Sequence, residues 1–246
     1  MSLKSIIGTL IKRGKSPLNV DDPFLFQKSL FAGEKHLVVF DVGAYVGDIT
    51  TAYAEIFPRA TIYCFEPFPD SFKELSRLAE SKHVKPYQIA LSSQKGKAKL
   101  LVNTDQSCNS MFPRPATGAK YYSESSQNIG QIEVKTQALD TFCETEVITD
   151  IDILKLDVEG AELKVLKGAT RKLTEKRIKL IFTEVMFVAH YEGGCLFNEV
   201  SDFLSRYHYT LYNLYNLKRA RNGRLRWGNA IFLNPQMQAR IESSCS

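Results

Sequence analysis

The feature that most constrains the fold is an alternation of short apolar runs with segments of helical spacing, which begins at His36 and recurs along the chain. Four of the runs read LVVFDVG, TIYCFEP, IDILKLD and IKLIFTEV. Short continuous apolar runs are typical of parallel strands, because helices cover both faces of a parallel sheet. The alternation therefore predicts an α/β fold with a doubly wound, mostly parallel sheet.

The remaining segments add detail to this expectation. Helical patterns cover residues 47–57, 69–80 and 196–206, AELKVLKGA predicts a helix that ends at Gly168, and a third strand is expected near 84–91. Two further strands are expected at KAKLLVN and QIEVKTQ. YTLYNLYN and GNAIFLN predict a closing antiparallel hairpin.

The expected organisation is a helical N-terminal leader over residues 1–33, with helices near 2–13 and 24–31, followed by one domain over 34–246. The leader would pack on the body or on a second subunit, which allows a homodimer, or its basic face could rest on a membrane surface. Residues 104–130 form a polar insertion that predicts either a substrate loop or lid, or a mobile surface loop.

Composition excludes several classes of protein. No run of about 18 apolar residues is present, so no transmembrane segment is expected, and the N-terminus lacks a long apolar signal core. Five cysteines without CxxC spacing predict reduced thiols in a cytoplasmic protein without structural zinc. A net charge of +5 permits an acidic ligand but does not require nucleic acid.

A glycine-containing turn follows the first predicted strand, in FDVGAYVGDIT. Gly43 permits a tight turn, and Gly47 lets the next helix approach the sheet closely. Such a turn points backbone N–H groups at a ligand. Tyr45 stands where a dinucleotide fingerprint would have its middle glycine, so the motif is incomplete for NAD.

Two acids indicate which kind of cofactor this turn would bind. Asp41 ends the first strand, where it could hold an ammonium group, and Glu66 ends the second, where it could accept hydrogen bonds from a ribose diol. This pair suits S-adenosylmethionine (SAM), which has both groups and no phosphate. NAD fits less well, since its pyrophosphate would be repelled by Asp41.

The chain resembles the FkbM-type SAM-dependent methyltransferases over roughly residues 36–234. The resemblance is carried by FDVGAYVGDIT, CFEPFPDSF, IALSSQKG, IDILKLDVEGAELKVLKGA and GNAIFL, of which LKLDVEGAE is the most specific. It implies a class I methyltransferase (Rossmann-like) sheet with a reversed last strand, and O-methylation of sugars or other hydroxylated metabolites. By this likeness the methionine part of SAM contacts Asp41, Gly43 and Gly47, with the Tyr45 amide also available; Glu66 binds the ribose, and the turn at Ala90 approaches the adenine.

Transfer of a methyl group to a hydroxyl needs a base or a metal that lowers the pKa of the hydroxyl. Asp157 ends the fourth strand beside the expected methyl group and Glu184 ends the fifth. His190 could serve as a base near pH 7 or be a surface loop residue, and Glu159 could face the pocket and the substrate or favour a helix start. Asp157 with Glu184 could also hold a divalent cation, but the sequence fixes no third ligand.

The hairpin loop LKRARNGRLRW is strongly basic. Charged runs are commonly solvated faces, but the resemblance places this loop near the substrate. Arg221 and Arg224 are therefore predicted to bind an anionic substrate, such as a nucleotide sugar or a uronic acid.

Four functions remain open on the sequence alone. The first is a SAM-dependent O-methyltransferase acting on a sugar, glycan or related small metabolite. The others are an NAD-dependent oxidoreductase, a non-catalytic SAM-binding module, and a nucleic-acid methyltransferase, which the absence of an NPPY-like motif disfavours.

Overall fold

The structure is a computed structural model that describes residues 20–80, 83–115 and 127–243. Its main element is a seven-stranded sheet with the order β3-β2-β1-β7-β8-β10-β9. The strands are β1 (Val38–Val42), β2 (Thr61–Phe65), β3 (Val84–Tyr87), β7 (Ile151–Leu156), β8 (Ile178–Met186), β9 (Thr210–Arg219) and β10 (Leu225–Leu233).

Strand directions match the expectation. The pairs β1–β2, β2–β3, β1–β7 and β7–β8 are parallel, whereas β10 runs antiparallel to both β8 and β9. The predicted doubly wound, mostly parallel sheet with a reversed last strand is therefore confirmed, and with it the closing hairpin.

A second, three-stranded sheet has the order β4-β6-β5. It contains β4 (Ala90–Ser92), β5 (Gly96–Asn103) and β6 (Asn128–Ala138). The expected single strand over 84–91 is wrong, because the chain bends between Tyr87 and Ala90 and its two halves pair in different sheets. The two strands predicted beyond this point form the remainder of the small sheet.

Helices cover both faces of the main sheet. They are α1 (Pro23–Leu30), α2 (Asp48–Ile56), α3 (Pro69–Leu75), α4 (Leu139–Thr145), α5 (Glu162–Lys167), α6 (Thr170–Thr174), α7 (Phe197–Ser205) and α8 (Pro235–Ser243). The expected helix over 69–80 is α-helical only to Leu75 and continues as a 3₁₀ helix over Ser76–Glu80. None of the helices in the described ranges is both long and apolar enough to cross a membrane.

The core consists of two apolar layers, one on each face of the sheet. Alternate strand residues point to opposite faces, so Phe40 and Leu154 belong to one layer, and Val39 and Ile153 belong to the other. All four side chains are fully buried. Burial on both faces explains why the sequence of the central strands is apolar almost without interruption.

Helix α1 belongs to this core, although it was assigned to the N-terminal leader. Asp22 caps it by accepting hydrogen bonds from the amides of Phe24 and Leu25, at 2.8 and 2.9 Å. Phe26 is fully buried and stacks on Tyr212 with ring centroids 4.3 Å apart. The helix predicted near 2–13 lies outside the described residues.

Candidate active site

The carboxyl ends of β1 and β7 lie side by side at the centre of the main sheet. From β1 the chain order runs outwards through β2 and β3 on one side, while β7 and β8 lie on the other. Ligands of open α/β sheets bind beyond such a switch point. The acids predicted for the site all lie at or near this edge.

Asp41 is paired inside the protein. Its carboxylate has no exposed surface; it lies 3.0 Å from the Lys155 ammonium and accepts a 2.7 Å hydrogen bond from the hydroxyl of Thr50. Burial alone would lower the pKa of Lys155, but the negative charges of Asp41 and Asp157 hold this pKa above its usual value. The expectation that Asp41 binds the ammonium of the cofactor is therefore corrected: Lys155 already provides its positive partner.

The glycine turn brings the ends of β1 and β7 into close contact. Gly43 has a φ of +76°, and a Cβ atom there would lie 1.8 Å from the carbonyl oxygen of Asp157. Gly47 is the N-terminal cap of α2, but a Cβ atom on it would lie 2.4 Å from Leu78. Gly43 borders a cavity at this edge of the sheet, whereas Gly47 is not among the residues that line it, so a contact of Gly47 with SAM stays a prediction.

We refer to this cavity as the cofactor cavity. Its lining includes five of the residues predicted to bind the cofactor, namely Gly43, Tyr45, Glu66, Ala90 and Asp157. Apolar neighbours from three strands and the following turns complete one wall, among them Phe65, Ile89, Leu91 and Leu100. A pocket with one apolar wall and a few converging polar groups suits a nucleoside ligand.

Glu66 is fixed at the edge of the cofactor cavity. One carboxylate oxygen accepts the amide of Tyr45 at 2.9 Å, and the other accepts the amide of Phe68 at 2.8 Å. Burial raises the pKa of Glu66 to about 7, and these two hydrogen bonds oppose the rise. Each oxygen keeps a second lone pair, so a ribose diol could still donate to it.

A second cavity, which we call the substrate cavity, adjoins the first. Its lining comprises Asp105, Cys108, Arg114, Glu159, Glu184, Met186, His190, Tyr191, Arg226 and Trp227. Glu159 lines both cavities. Glu159, which the sequence predicts as a substrate contact, therefore lies at the boundary between the two cavities.

Glu159 is held in an unusual backbone conformation. Its φ is +52°, a region that non-glycine residues rarely adopt, and the following Gly160 also has a positive φ. The Tyr191 hydroxyl donates a 2.5 Å hydrogen bond to the Glu159 carboxylate, and Ser110 donates to its carbonyl oxygen at 2.6 Å. Burial, with the nearby charge of Asp157, raises the pKa of Glu159 to about 8 although the Tyr191 hydrogen bond opposes it.

Three carboxylates converge at the boundary between the cavities. Single oxygens of Asp157, Glu159 and Glu184 all lie within 4.8 Å of one another. Burial, together with the charges of Asp157 and Glu159, raises the pKa of Glu184 well above its usual value. Mutual repulsion favours either a shared proton or a cation among the three, and carboxylate oxygens suit a divalent cation. Glu159 is thus the candidate for a third oxygen ligand, which the sequence did not identify.

His190 is buried beside the substrate cavity. It is only 6% exposed, so it is not a surface loop residue, and its Nδ1 lies 3.0 Å from the carbonyl oxygen of Val188. Burial lowers its pKa to about 4, with the positive charges of Arg226 and Arg114 contributing to the shift. At neutral pH this imidazole is uncharged and a weak proton acceptor, which does not favour a base tuned to pH 7. His190 does line the substrate cavity, and its catalytic role stays a prediction.

The basic hairpin reaches the site through different residues from those predicted. Arg221 and Arg224 are exposed at the tip of the β9–β10 hairpin and do not line the substrate cavity. Arg226 and Trp227 do, because β10 already begins at Leu225, and Trp227 lies opposite Met186 on β8. Arg221 and Arg224 therefore lie outside this cavity, and their contact with a substrate stays a prediction.

The described part of the 104–130 insertion borders both cavities. Gln106, Ser107, Asn109 and Met111 line the cofactor cavity, and Asp105, Cys108 and Arg114 line the substrate cavity. Ser110 attaches this segment to the sheets through a bridge to Leu101 and the bond to Glu159. Its role as a substrate loop stays a prediction.

Comparison with known proteins agrees with this geometry. 2-O-methyltransferase NoeI of Sinorhizobium fredii is 25% identical over 174 residues, which cover 68% of this chain and 70% of that protein. Hexuronic acid methyltransferase AglP of Haloferax volcanii is 29% identical over 154 residues, covering 62% of this chain and 57% of AglP. Methyltransferase sdnD of Sordaria araneosa is 31% identical over 154 residues, covering 53% of this chain and 59% of sdnD.

The family model of the FkbM methyltransferase domain matches residues 41–211. This range contains both glycines of the turn, Glu66 and the whole of the β7 turn with its acids. The match covers well over half of the 246 residues. The chain therefore belongs to the FkbM family of SAM-dependent methyltransferases.

Proposed function

We propose that this protein transfers the methyl group of SAM to a hydroxyl of a sugar, a glycan or a related small metabolite. The observation that carries the proposal is the pair of adjoining cavities that share Glu159. Methyl transfer requires the sulfonium of the donor and the oxygen of the acceptor to meet at one boundary, in line. The names of two relatives, a 2-O-methyltransferase and a hexuronic acid methyltransferase, support the acceptor class.

The cofactor cavity suggests how SAM would lie. The ribose would donate hydrogen bonds to Glu66, and the adenine would lie beside Ala90 on the apolar wall. The methionine part would follow the turn at Gly43. Asp157 also lies near Lys155, but at 3.8 Å instead of 3.0 Å, and its side chain is 44% exposed whereas that of Asp41 is buried. We therefore propose that Asp157, which adjoins this turn, meets the ammonium in place of Asp41.

Glu159 is the best-placed group to take the hydroxyl proton. A base is most useful when its pKa lies near the working pH, and the pKa of Glu159 is about 8. A sulfonium arriving beside the three carboxylates would lower that pKa further, because an opposite charge favours the ionised form. Bound SAM would supply an activated methyl group to the acceptor oxygen, and Glu159 would take the proton of the acceptor hydroxyl.

The same carboxylates allow a different use. A divalent cation held by Asp157, Glu159 and Glu184 would lower the pKa of a bound hydroxyl and replace the base. Catalytic roles for Asp157 and Glu184 stay predictions, whether a base or a metal activates the hydroxyl. The homodimer also stays a prediction.

Two measurements test the proposal. Calorimetric titration should show binding of SAM and none of NAD; NAD binding without SAM binding would restore the oxidoreductase interpretation. A panel of neutral and charged sugars and nucleotide sugars should then give S-adenosylhomocysteine with at least one acceptor. SAM binding with no turnover across sugars, small hydroxylated metabolites and RNA would favour the non-catalytic module, and turnover on RNA alone would favour a nucleic-acid methyltransferase.

A further inference from the structure

Two arginines from distant parts of the chain meet at the substrate cavity. Arg114 comes from the insertion that follows β5, and Arg226 comes from β10. Both positive charges lie close enough to His190 to contribute to the lowering of its pKa, which locates them around the same side chain. Trp227 lines the same cavity.

The same cavity also has acidic residues in its lining. Asp105, Glu159 and Glu184 belong to it, and the last two lie beside Asp157 of the cofactor cavity. Tyr191 contacts both kinds of charge: its ring is 5.7 Å from the guanidinium carbon of Arg114, and its hydroxyl donates to Glu159. The substrate cavity is therefore lined by guanidinium groups and by carboxylates, and one of these carboxylates, Glu159, also lines the cofactor cavity.

These groups constrain the acceptor. The reacting hydroxyl must lie beside Glu159, because Glu159 also lines the cofactor cavity. A neutral acceptor in this cavity would add no charged contact with the two guanidinium groups. Guanidinium groups match carboxylate and phosphate oxygens with paired hydrogen bonds, and the indole of Trp227 offers a flat surface for the C–H groups of a sugar ring.

We propose that the acceptor is a sugar bearing an anionic group, either a carboxylate or a phosphate, which Arg114 and Arg226 bind while a ring hydroxyl faces Glu159. This inference rests on the proposed sugar O-methylation. It names the substrate class and assigns the anion to the two arginines of the cavity wall, not to the exposed Arg221 and Arg224.

The test is equilibrium binding to the full chain saturated with S-adenosylhomocysteine. The probes are methyl glucuronide for a carboxylate, glucose 6-phosphate for a phosphate and methyl glucoside as the neutral sugar. At least one anionic probe should bind ten-fold or more tightly than methyl glucoside. The probe that binds more tightly shows whether the anionic group is a carboxylate or a phosphate.

Arg226→Met should lower the affinity for that anionic probe by about ten- to a hundred-fold, because a hydrogen bond between charged groups is lost. Binding of methyl glucoside and of S-adenosylhomocysteine should not change, which shows that the variant is folded. Arg224→Met is the matched control: it removes the same charge two residues away but at the exposed hairpin tip, so it should leave all probes unchanged. Arg114→Met provides an independent second variant.

Equal binding of all three probes would overturn the inference. An equal loss of affinity for the anionic probe in Arg224→Met and Arg226→Met would also overturn it, because such a loss would reflect the overall positive charge of the hairpin and not a specific contact. Neither result touches the proposed function. The proposed function would be contradicted by different results, namely the absence of SAM binding or of methyl transfer to any hydroxylated acceptor. Efficient methylation of neutral sugars alone would agree with the proposed function and contradict only the anionic acceptor.

Discussion

Lys155 and Asp41 form a buried ion pair across the adjacent strands β1 and β7, with their charged atoms 3.0 Å apart. The Lys155 side chain is 5% exposed, and it also donates a 2.9 Å hydrogen bond to the carbonyl oxygen of Gly43. A single lysine thus joins the end of β7 to the turn that borders the cofactor cavity.

Lys155→Met should destabilise the protein strongly, because Asp41 would remain buried without its positive partner. Removing one member of a buried pair costs about 3–5 kcal/mol of unfolding free energy. Urea unfolding measures this cost. Lys97→Met is the control: it breaks an ion pair with Glu133 whose side chains are 67% and 61% exposed, and it should cost far less because water screens exposed charges. Similar costs in both variants would contradict the structural role of Lys155.

The position of Glu66 and Asp157 could be predicted from the sequence because both acids end apolar runs. The carboxyl ends of parallel strands lie at one edge of a sheet, so such acids are brought together without knowledge of the packing. Glu66, Asp157 and Glu159 accordingly line one cavity. The order of strands along the chain was sufficient for this step.

The role of Asp41 could not be predicted in the same way. Its pairing with Lys155 depends on strand register, which places Asp41 opposite Lys155 in β1 and β7. The lysine was visible within an apolar strand, and a buried lysine needs a carboxylate partner. The lysine within an apolar strand therefore indicated a buried ion pair, but it did not show which acid would be its partner.

That Arg226 lines the substrate cavity could not be predicted for a different reason. The predicted strand began at Gly228, whereas β10 begins three residues earlier and carries Arg226 into the sheet. Strand ends are set by pairing with neighbouring strands, and Phe187 of the adjacent segment donates to the carbonyl of Arg226. The burial of His190 could not be predicted for a related reason, since it results from tertiary packing that no local pattern shows.

Gly43→Ala should damage both folding and SAM binding. The new methyl group would overlap the Asp157 carbonyl oxygen, and backbone atoms on both sides prevent an easy shift. Backbone strain and overpacking together should cost about 2–5 kcal/mol. Gly33→Ala is the control, because Gly33 also has a positive φ of +89° but nothing lies within 4 Å of the added atom, so only about 1–2 kcal/mol is expected. Chemical denaturation compares the two, and equal costs would mean that the contact between the β1 and β7 ends is unimportant.

Glu66→Ala should weaken SAM binding by about 1–3 kcal/mol in calorimetric titration, because the ribose hydroxyls lose a charged acceptor. Glu55→Ala, on the exposed side of α2, should leave the affinity unchanged. Since Glu66 also accepts the amides of Tyr45 and Phe68, thermal unfolding must be measured alongside. Unchanged SAM affinity in a folded Glu66→Ala protein would remove Glu66 from the cofactor site.

Removal of divalent cations should leave turnover unchanged if Glu159 acts as the base. The comparison is the rate of S-adenosylhomocysteine formation after treatment with EDTA, and again after addition of Mg²⁺ or Mn²⁺. A rate that is lost with EDTA and restored by one cation would instead assign Asp157, Glu159 and Glu184 to a metal site.

Glu159→Gln should lower kcat by about 10²–10⁴-fold and leave SAM bound, because proton abstraction is lost while the side-chain shape is kept. In the unmodified protein the base works in its ionised form, and the pKa of Glu159 is about 8 in the free protein. The plot of kcat/KM against pH should therefore rise up to about pH 8 and then level off. The midpoint for kcat should lie lower, since the bound sulfonium favours the carboxylate.

Variants of two residues that line the same cavity as Glu159 test whether this pH dependence belongs to Glu159. Tyr191→Phe removes the hydrogen bond that lowers the pKa of Glu159, so the midpoint for kcat/KM should move to higher pH. His190→Gln should leave the profile above pH 6 in place, because the pKa of His190 is about 4 and the imidazole is already neutral there. A midpoint that follows His190 and ignores Tyr191 would assign the proton transfer to the imidazole, since only a group that titrates in the working range can set the position of the rise.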